Sequence, residues 1–243
     1  MGVRTKAWGP HTWKFLHGFC LVVDQYLEEH PDDTKTRNLV VDCLNSLKYV
    51  VPCVYCRQSL TKFVRRGATR LPNLRKGGSF AFWAYKIHEC VNRKLFWQQV
   101  KMNPDKIWIF EDYQPDFDQV EYTTPDSGKW WFSFFTFCYY VMCDFPKPAE
   151  KRRFKEISLF LPRVAKILRS VGHPNGRHFC TLLNKSGLTP RSRLTDRIKF
   201  IHTVHSNMKL KNGTSIPSPT DIEKVCSYAI VGCDPSDTNR VGC

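Results

Sequence analysis

The sequence has no apolar run long enough to cross a membrane, and it is short of acidic residues. The longest apolar run, Trp130 to Cys143, has 14 residues, whereas a membrane-spanning helix needs about 20. No apolar segment follows the basic residues near the start, so a secretory signal is not expected. The 22 Asp and Glu are outnumbered by 37 Lys and Arg, which gives a net charge of +15. We therefore expect a cytoplasmic protein that is neither secreted nor bound to a membrane.

Aromatic residues and cysteines are abundant. The 243 residues include 7 Trp, 9 Tyr and 17 Phe, which is enough apolar surface for a buried core and excludes a disordered chain. The 11 cysteines are an odd number, so they cannot all pair within one chain. A chain of this length does not need disulfides in order to fold, and the expected compartment is reducing. We therefore interpret the cysteines as catalytic or metal-binding and not as a disulfide scaffold.

Helical periodicity dominates the chain. No segment of useful length alternates with a period of two, and breakers such as Pro31 and Gly67 separate the periodic segments. The predicted helices of the first half cover 8–26, 35–51, 53–66 and 80–100, and those of the second half cover 129–144, 150–170, 179–186 and 194–210. We therefore predict an all-α protein that begins with a four-helix bundle.

An acidic segment divides the chain. Residues 105–126 hold seven Asp and Glu against one Lys, and we interpret them as a linker. The predicted units on either side are a bundle of residues 1–104 and a second helical domain of residues 127–211. Residues 212–243 are rich in Pro, Ser, Thr and Gly and contain three cysteines, so they are predicted to form a flexible tail.

A weak internal repeat relates the two halves. Trp13 and Cys20 have the same spacing as Trp131 and Cys138. The second half is then either a degenerate copy of the first bundle that has lost its redox pair and cofactor, or an unrelated interaction domain. In both cases the aromatic residues from 130 to 140 are expected to pack against the first half or against a second subunit.

One Cys-x-x-Cys pair carries the clearest chemical signal. Cys53 and Cys56 follow Pro52 at the start of a predicted helix. This spacing brings two sulfurs within disulfide range, and a helix N-terminus favours the thiolate of the first cysteine. The alternative is half of a zinc site, but a structural zinc needs four ligands and the sequence has no second Cys-x-x-Cys. The pair therefore favours a dithiol that cycles between reduced and oxidised forms.

Three segments together resemble the Erv/ALR family of flavin-linked sulfhydryl oxidases. They are residues 8–17 (WGPHTWKFLH), residues 51–56 (VPCVYC) and residues 83–95 (WAYKIHECVNRKL), and they occur in the family's order over about residues 8–97. Pro10 stands where most members have Arg, a substitution similar to that in members from large DNA viruses. The resemblance therefore extends to the viral members, which would place the protein in host cytoplasm or in the virion.

The resemblance implies that the bundle is a four-helix cradle for FAD. Trp13 and Trp83 offer flat apolar faces, and Lys94 can reach a phosphate of this anionic cofactor. His88, Asn92 and Lys94 are expected on one helical face. The alternative is that the tryptophans and Val91 are simply core residues and that His17 is a buried histidine. The cofactor-binding residues implied by position are Gly9, Thr12, Trp13, His17, Trp83, His88, Val91, Asn92 and Lys94.

The resemblance also implies a reaction and its partners. A thiolate of a protein substrate attacks Cys53, which is taken as the outer and more accessible sulfur. Cys56 passes the electrons to FAD, and dioxygen reoxidises the cofactor and gives hydrogen peroxide. The implied partners are thiol-containing proteins, with a thioredoxin-like carrier among the candidates, and a second copy of the chain in a homodimer.

The sequence departs from the family pattern at several positions. Glu89 replaces an Asn of the last motif, and Trp97 replaces a frequent basic residue. Tyr85 stands where members commonly have a cysteine of a structural disulfide, so that disulfide is expected to be absent. Cys90 is then a buried or flavin-adjacent thiol.

The remaining cysteines and the positive charge leave alternatives open. Cys226, Cys233 and Cys243 are candidates for an electron shuttle or are ordinary free thiols. The basic clusters allow a nucleic-acid-binding protein, and the cysteines allow a zinc-bound interaction module, but no recognisable motif accompanies either. The cysteines predicted to be small core residues are Cys20, Cys43, Cys138 and Cys180.

Overall fold

The computed structural model describes residues 3, 5–102, 104–106, 129–183, 192–208, 218–222 and 224. Over these residues the chain forms helices and no strands, so the prediction of an all-α protein is confirmed. The α-helices are α1 (Thr5–Glu29), α2 (Thr34–Val50), α3 (Val54–Phe63), α4 (Phe80–Met102), α5 (Lys129–Cys143), α6 (Lys151–Ser170), α7 (Gly176–Leu183) and α8 (Leu194–Asn207).

Local sequence explains several helix boundaries. Asp33 caps α2, since its carboxylate accepts a hydrogen bond of 2.9 Å from the backbone N–H of Thr36. Cys53 caps α3 in the same way through its sulfur, which accepts from the backbone N–H of Cys56. The third helix is shorter than the predicted range 53–66, because two 3₁₀ turns follow it, Gly67–Thr69 and Leu71–Arg75.

Both halves contribute to one continuous hydrophobic core. Helix α1 packs against α4 on one side and against α5 on the other, and α2 packs against α6. Gly18 makes the approach of α5 possible, because a Cβ atom at this position would lie 2.7 Å from the ring of Trp130. Phe15 and Phe134 pack against each other at this interface, with ring centroids 4.8 Å apart. The aromatic residues of α5 therefore bury against the first half, which was one of the two predicted arrangements.

A group of buried charges also joins the halves. The Asp144 carboxylate, just after α5, lies 2.8 Å from the Arg57 guanidinium of α3 and 2.7 Å from that of Arg153 of α6. Arg153 is buried and also donates to the Tyr49 carbonyl at the end of α2. Arg57 donates to the Val51 carbonyl at 2.9 Å. This network ties the segment before Cys53 to the second half of the chain.

Two sequence predictions depend largely on residues that the structure does not describe. Most of the predicted linker 105–126 and most of the tail 212–243 lie outside the described ranges, so the predicted domain boundaries stay predictions. In the part of the chain that is described, no helix is both long and apolar enough to cross a membrane.

Candidate active site

An apolar cleft lies among the first four helices. It encloses about 70 Å³. Among the described residues that line it, Lys94 carries the charge and the rest are apolar, aromatic or small. The lining residues are Thr5, Trp8, Gly9, Thr12, Trp13, Leu16, Leu47, Val51, Cys56, Ser59, Leu60, Trp83, Ile87, Val91, Lys94 and Leu95.

Six of the nine cofactor-binding residues implied by the sequence line this cleft. Thr12 is buried and donates its hydroxyl to the Trp8 carbonyl at 3.0 Å. Trp83 is buried too, and its indole N–H donates to the Thr69 carbonyl at 3.0 Å, which fixes the ring in the wall. The six are Gly9, Thr12 and Trp13 from α1 and Trp83, Val91 and Lys94 from α4.

The two histidines of the predicted set lie behind Trp13. The His88 ring stacks on the Trp13 ring with centroids 4.1 Å apart and planes within 16°. His17 Nε2 lies 3.3 Å from His88 Nδ1, a hydrogen bond in which one ring donates and the other accepts. Burial lowers the pKa of His17 to about 4, and burial together with the charge of His17 lowers the pKa of His88 to about 3. Both rings are therefore neutral near pH 7.

The structure differs from the expectation that His88, Asn92 and Lys94 share one helical face. Lys94 lines the cleft, whereas His88 and Asn92 are half-buried and lie outside the lining. The reason is the helical period: six residues rotate by about 600° around a helix of 3.6 residues per turn, so positions i and i+6 lie about 120° apart.

The redox pair lies at one end of this cleft. Cys53 and Cys56 are both free thiols, and Cys56 is part of the lining. The Cys53 sulfur accepts a hydrogen bond from the backbone N–H of Cys56 at 3.3 Å, and the Cys56 sulfur lies 3.6 Å from the Thr5 hydroxyl. Cys56 is thus the sulfur that faces the cleft.

The two thiols have opposite electrostatic environments. A hydrogen bond from the Cys56 thiol, the backbone N–H groups of Cys56 and Tyr55 and the charge of Lys94 together lower the pKa of Cys53 to about 6, against the opposing effect of burial. The pKa of Cys56 is raised, first because its proton is held on Cys53 and then by burial. Cys53 is therefore the thiolate of the reduced pair.

One expectation about the pair is wrong. Cys53 was expected to be the more accessible sulfur, but it is 0% exposed, whereas Cys56 is half-buried. The start of the chain lies beside it, since the backbone N–H of Val3 donates to the Pro52 carbonyl at 2.7 Å and Val3 is itself buried. Because Cys53 has no exposed surface, a substrate thiol can reach it only after a local movement.

Three of the six other described cysteines are core residues, and Cys180, which was predicted to be one, is not fully buried. Cys20, Cys43 and Cys138 are buried, as predicted, and burial raises the pKa of each thiol. Cys180 and Cys90 are half-buried free thiols, and Cys90 is not part of the cleft lining.

The possible relay and metal sites are tested only in part. Cys143 is disulfide-bonded. The candidate shuttle residues Cys226, Cys233 and Cys243 lie outside the described residues. No group of three or more His, Cys, Asp or Glu that could hold a metal ion occurs within the described ranges.

Sequence reasoning missed two parts of this region. It did not find the contact of Arg57 with Asp144, since the two residues are 87 positions apart. It also began the first helix at Trp8, whereas α1 begins at Thr5 and brings Thr5 to Cys56. Pro10 lies inside this helix, where a proline removes a backbone hydrogen bond, so the local sequence does not favour the earlier start.

The fold and the site define a class: a helical thiol–disulfide redox protein whose dithiol borders an apolar cleft suited to a flat cofactor. Residues 10–113, somewhat less than half of the chain, match the model of the Erv1 / Alr family. The family is known for FAD-linked thiol oxidase activity. Searches of curated proteins and of solved structures gave no match.

Proposed function

We propose that this protein is an FAD-dependent thiol oxidase that forms disulfide bonds in protein substrates. The observation that carries the proposal is the position of Cys56. It lines the apolar cleft, and its partner Cys53 has a pKa lowered to about 6 at the N-terminus of α3. A dithiol that has one stabilised thiolate and one sulfur facing a cofactor-sized wall of aromatic residues suits electron transfer from thiols to a bound group.

The residues of the cleft fit FAD in chemical kind. Trp13 and Trp83 would contact the rings of the cofactor, and Gly9 has no Cβ atom to restrict their approach. Lys94 would meet its negative charge.

The exchange step uses the protein's own sulfurs. A substrate thiolate attacks Cys53 of the oxidised pair, so that a mixed disulfide forms and the Cys53–Cys56 bond breaks. Cys56 leaves and takes up a proton, because its pKa is raised. A second substrate thiolate then attacks the substrate sulfur of the mixed disulfide. This releases Cys53 as a thiolate, and its low pKa makes it a good leaving group. The substrate gains a disulfide, and the pair has taken up two electrons.

FAD, when bound, supplies the remaining chemistry, because it accepts the two electrons and passes them to dioxygen to give hydrogen peroxide. The wider setting belongs to the same proposal and is supported by the sequence resemblance: protein substrates that include a thioredoxin-like carrier, a homodimer, a cytoplasmic location and a viral origin.

The test is the visible absorption spectrum of the purified, dialysed protein together with oxygen consumption in dithiothreitol. We expect a flavin band at about one equivalent per chain, and hydrogen peroxide at one equivalent per disulfide formed. Two flavins per chain would instead favour a second half that is a working repeat. A colourless, folded protein that does not regain turnover with added FAD would refute the proposal.

A further inference from the structure

A second concave surface lies beside the redox pair, between α2 and α3 on one side and the start of α6 on the other. It is open to solvent and strongly basic. Six lining residues are cationic and one, Glu150, is acidic; the six are Lys48, Arg57, Lys62, Lys151, Arg152 and Arg153. We call this surface the basic groove.

Four of the six cations are not neutralised by a described neighbour. Arg57 and Arg153 are paired with Asp144, as given above, and Arg153 also lies 3.7 Å from Glu150. The other four have no carboxylate within 4.0 Å among the described residues; they are Lys48, Lys62, Lys151 and Arg152.

The surroundings of Lys48 reflect this excess of positive charge. Burial lowers its pKa, and the charges of Arg65 and Arg152 lower it further, against the smaller opposing effect of the Glu156 charge. Arg152 lies over the ring of Tyr49, with its guanidinium carbon 5.0 Å from the ring centroid. The groove therefore combines cations that repel one another with an aromatic surface, and a negatively charged ligand would relieve that repulsion.

One end of the groove lies at Val54, next to the redox pair in the sequence. Its α3 lining runs from Val54, the residue after Cys53, to Lys62. Eight residues of helix span about 12 Å, which is the length of about four extended residues. A polypeptide bound along this side could therefore place a cysteine at Val54 while acidic residues a few positions away contact the cations. That cysteine would reach Cys53 after the local movement that the burial of Cys53 requires.

We propose that the basic groove binds an acidic segment of a thiol-containing protein substrate and thereby presents a nearby substrate cysteine to Cys53. This inference rests on the proposed thiol oxidase function and specifies its substrate class. A peptide fits better than a nucleic acid, because the groove reaches the residue next to Cys53 and a nucleic acid has no thiol to oxidise.

The experiment compares two synthetic dithiol peptides in the full-length protein. Both contain Cys-x-x-Cys, with four flanking Glu in one and four Gln in the other, and dithiothreitol serves as an uncharged reference. We expect the wild type to oxidise the Glu peptide with a KM about tenfold lower at low salt, and we expect the preference to fade at high salt as the charges are screened.

Charge reversal in the groove provides the decisive variant. Lys62→Glu, Lys151→Glu and Arg152→Glu combined should remove the preference and leave turnover of dithiothreitol unchanged. The matched control reverses three exposed cations outside the groove, Lys166, Arg177 and Lys199, and should keep the preference. An equal kcat/KM for both peptides in the wild type, or a preference that survives in the groove variant, would overturn the proposal.

A direct binding measurement separates this inference from the proposed function. Fluorescence anisotropy of the labelled Glu peptide should show binding that the groove variant loses. If dithiothreitol is not oxidised but this binding pattern is found, the oxidase proposal fails and the docking surface stands. If the groove variant instead loses salt-dependent binding to a DNA oligonucleotide and not to the peptide, the groove is a nucleic-acid site and the inference is wrong.

Discussion

Arg57 and Asp144, which are 87 positions apart in the sequence, form an ion pair of 2.8 Å next to the redox site. The same guanidinium donates to the Val51 carbonyl two residues before Cys53. Asp144 also pairs with the buried Arg153. One carboxylate from the second half therefore compensates two arginines and holds the backbone that leads into the Cys-x-x-Cys pair.

Replacing this carboxylate should destabilise the protein. Asp144→Asn leaves two largely buried guanidinium groups without a counter-charge, and removing one partner of a buried pair costs about 3–5 kcal/mol. We expect a loss at the lower end of that range in urea unfolding. The control is Asp42→Asn, since Asp42 pairs with Arg75 at an exposed position and such pairs contribute about 0–1 kcal/mol. An equal loss in the free energy of unfolding in the two variants would show that the Asp144 network contributes no more than an exposed ion pair.

Single replacement of either redox cysteine should abolish turnover. Cys53→Ser removes the attacked sulfur, and Cys56→Ser removes the sulfur that faces the cleft. Oxygen consumption with dithiothreitol should fall to the background rate in both variants, and the flavin content should stay near that of the wild type. Cys20→Ser, in the core of the same half, is a control that should leave the redox step intact. Substantial oxidase activity in either redox variant contradicts the assigned mechanism.

The Cys53 thiolate should be visible in a pH titration of the reduced protein without flavin. Its pKa of about 6 lies below the ordinary value near 8.5. The thiolate absorbance at 240 nm should therefore rise with pH around 6 in the wild type and not in Cys53→Ser. Cys56→Ala removes the main hydrogen bond and should move the midpoint upward, while Cys56→Ser keeps a donor and should move it less. If the wild type, Cys56→Ala and Cys56→Ser have the same midpoint, this hydrogen bond is not the cause of the lowered pKa of Cys53.

Acid should destabilise the protein at His17 and His88, the two histidines that lie behind Trp13. The pKa of His17 is lowered to about 4 in the folded protein, below its ordinary 6.5, so between these values the unfolded chain binds the proton and the folded chain does not. The free energy of unfolding should therefore fall as the pH drops from 6.5 towards 4, by about 2 kcal/mol at pH 5 for this residue. His17→Gln should reduce that loss when urea unfolding is compared at pH 6.5 and pH 5. The control is His30→Gln, at an exposed position. An unchanged pH dependence in His17→Gln would show that His17 is not responsible.

Gly18→Ala should test the packing of the two halves. The new Cβ would lie 2.7 Å from the buried Trp130 ring, so α1 and α5 would have to separate. Overpacking of this kind costs about 1–3 kcal/mol, and we expect a lower Tm. Gly9→Ala in the same helix places its Cβ 3.4 Å from Thr5 and should stabilise the protein without cofactor, because Ala favours helix over Gly by about 0.5–1 kcal/mol. A Tm in Gly18→Ala equal to or above the wild type would contradict this close approach.

Much of the fold could be predicted because its signals are local. The helical spacing of apolar residues predicted all eight described α-helices to within a few residues at most ends. The Cys-x-x-Cys pair was also found locally, because both its spacing and its place at a helix start are properties of a few consecutive residues.

What the sequence determined by itself was the set of helices, the redox pair and the motifs that carry the family resemblance. Only the tertiary structure decided which surfaces meet: Val3 beside Pro52, Asp144 between Arg57 and Arg153, and Trp130 against Gly18. It also decided that Cys53 is covered and that Lys94, not His88, lines the cleft. The reason is that helical periodicity shows which face of a helix is buried but not which distant segment buries it. That choice depends on side-chain shape and charge across contacts that are far apart in the sequence.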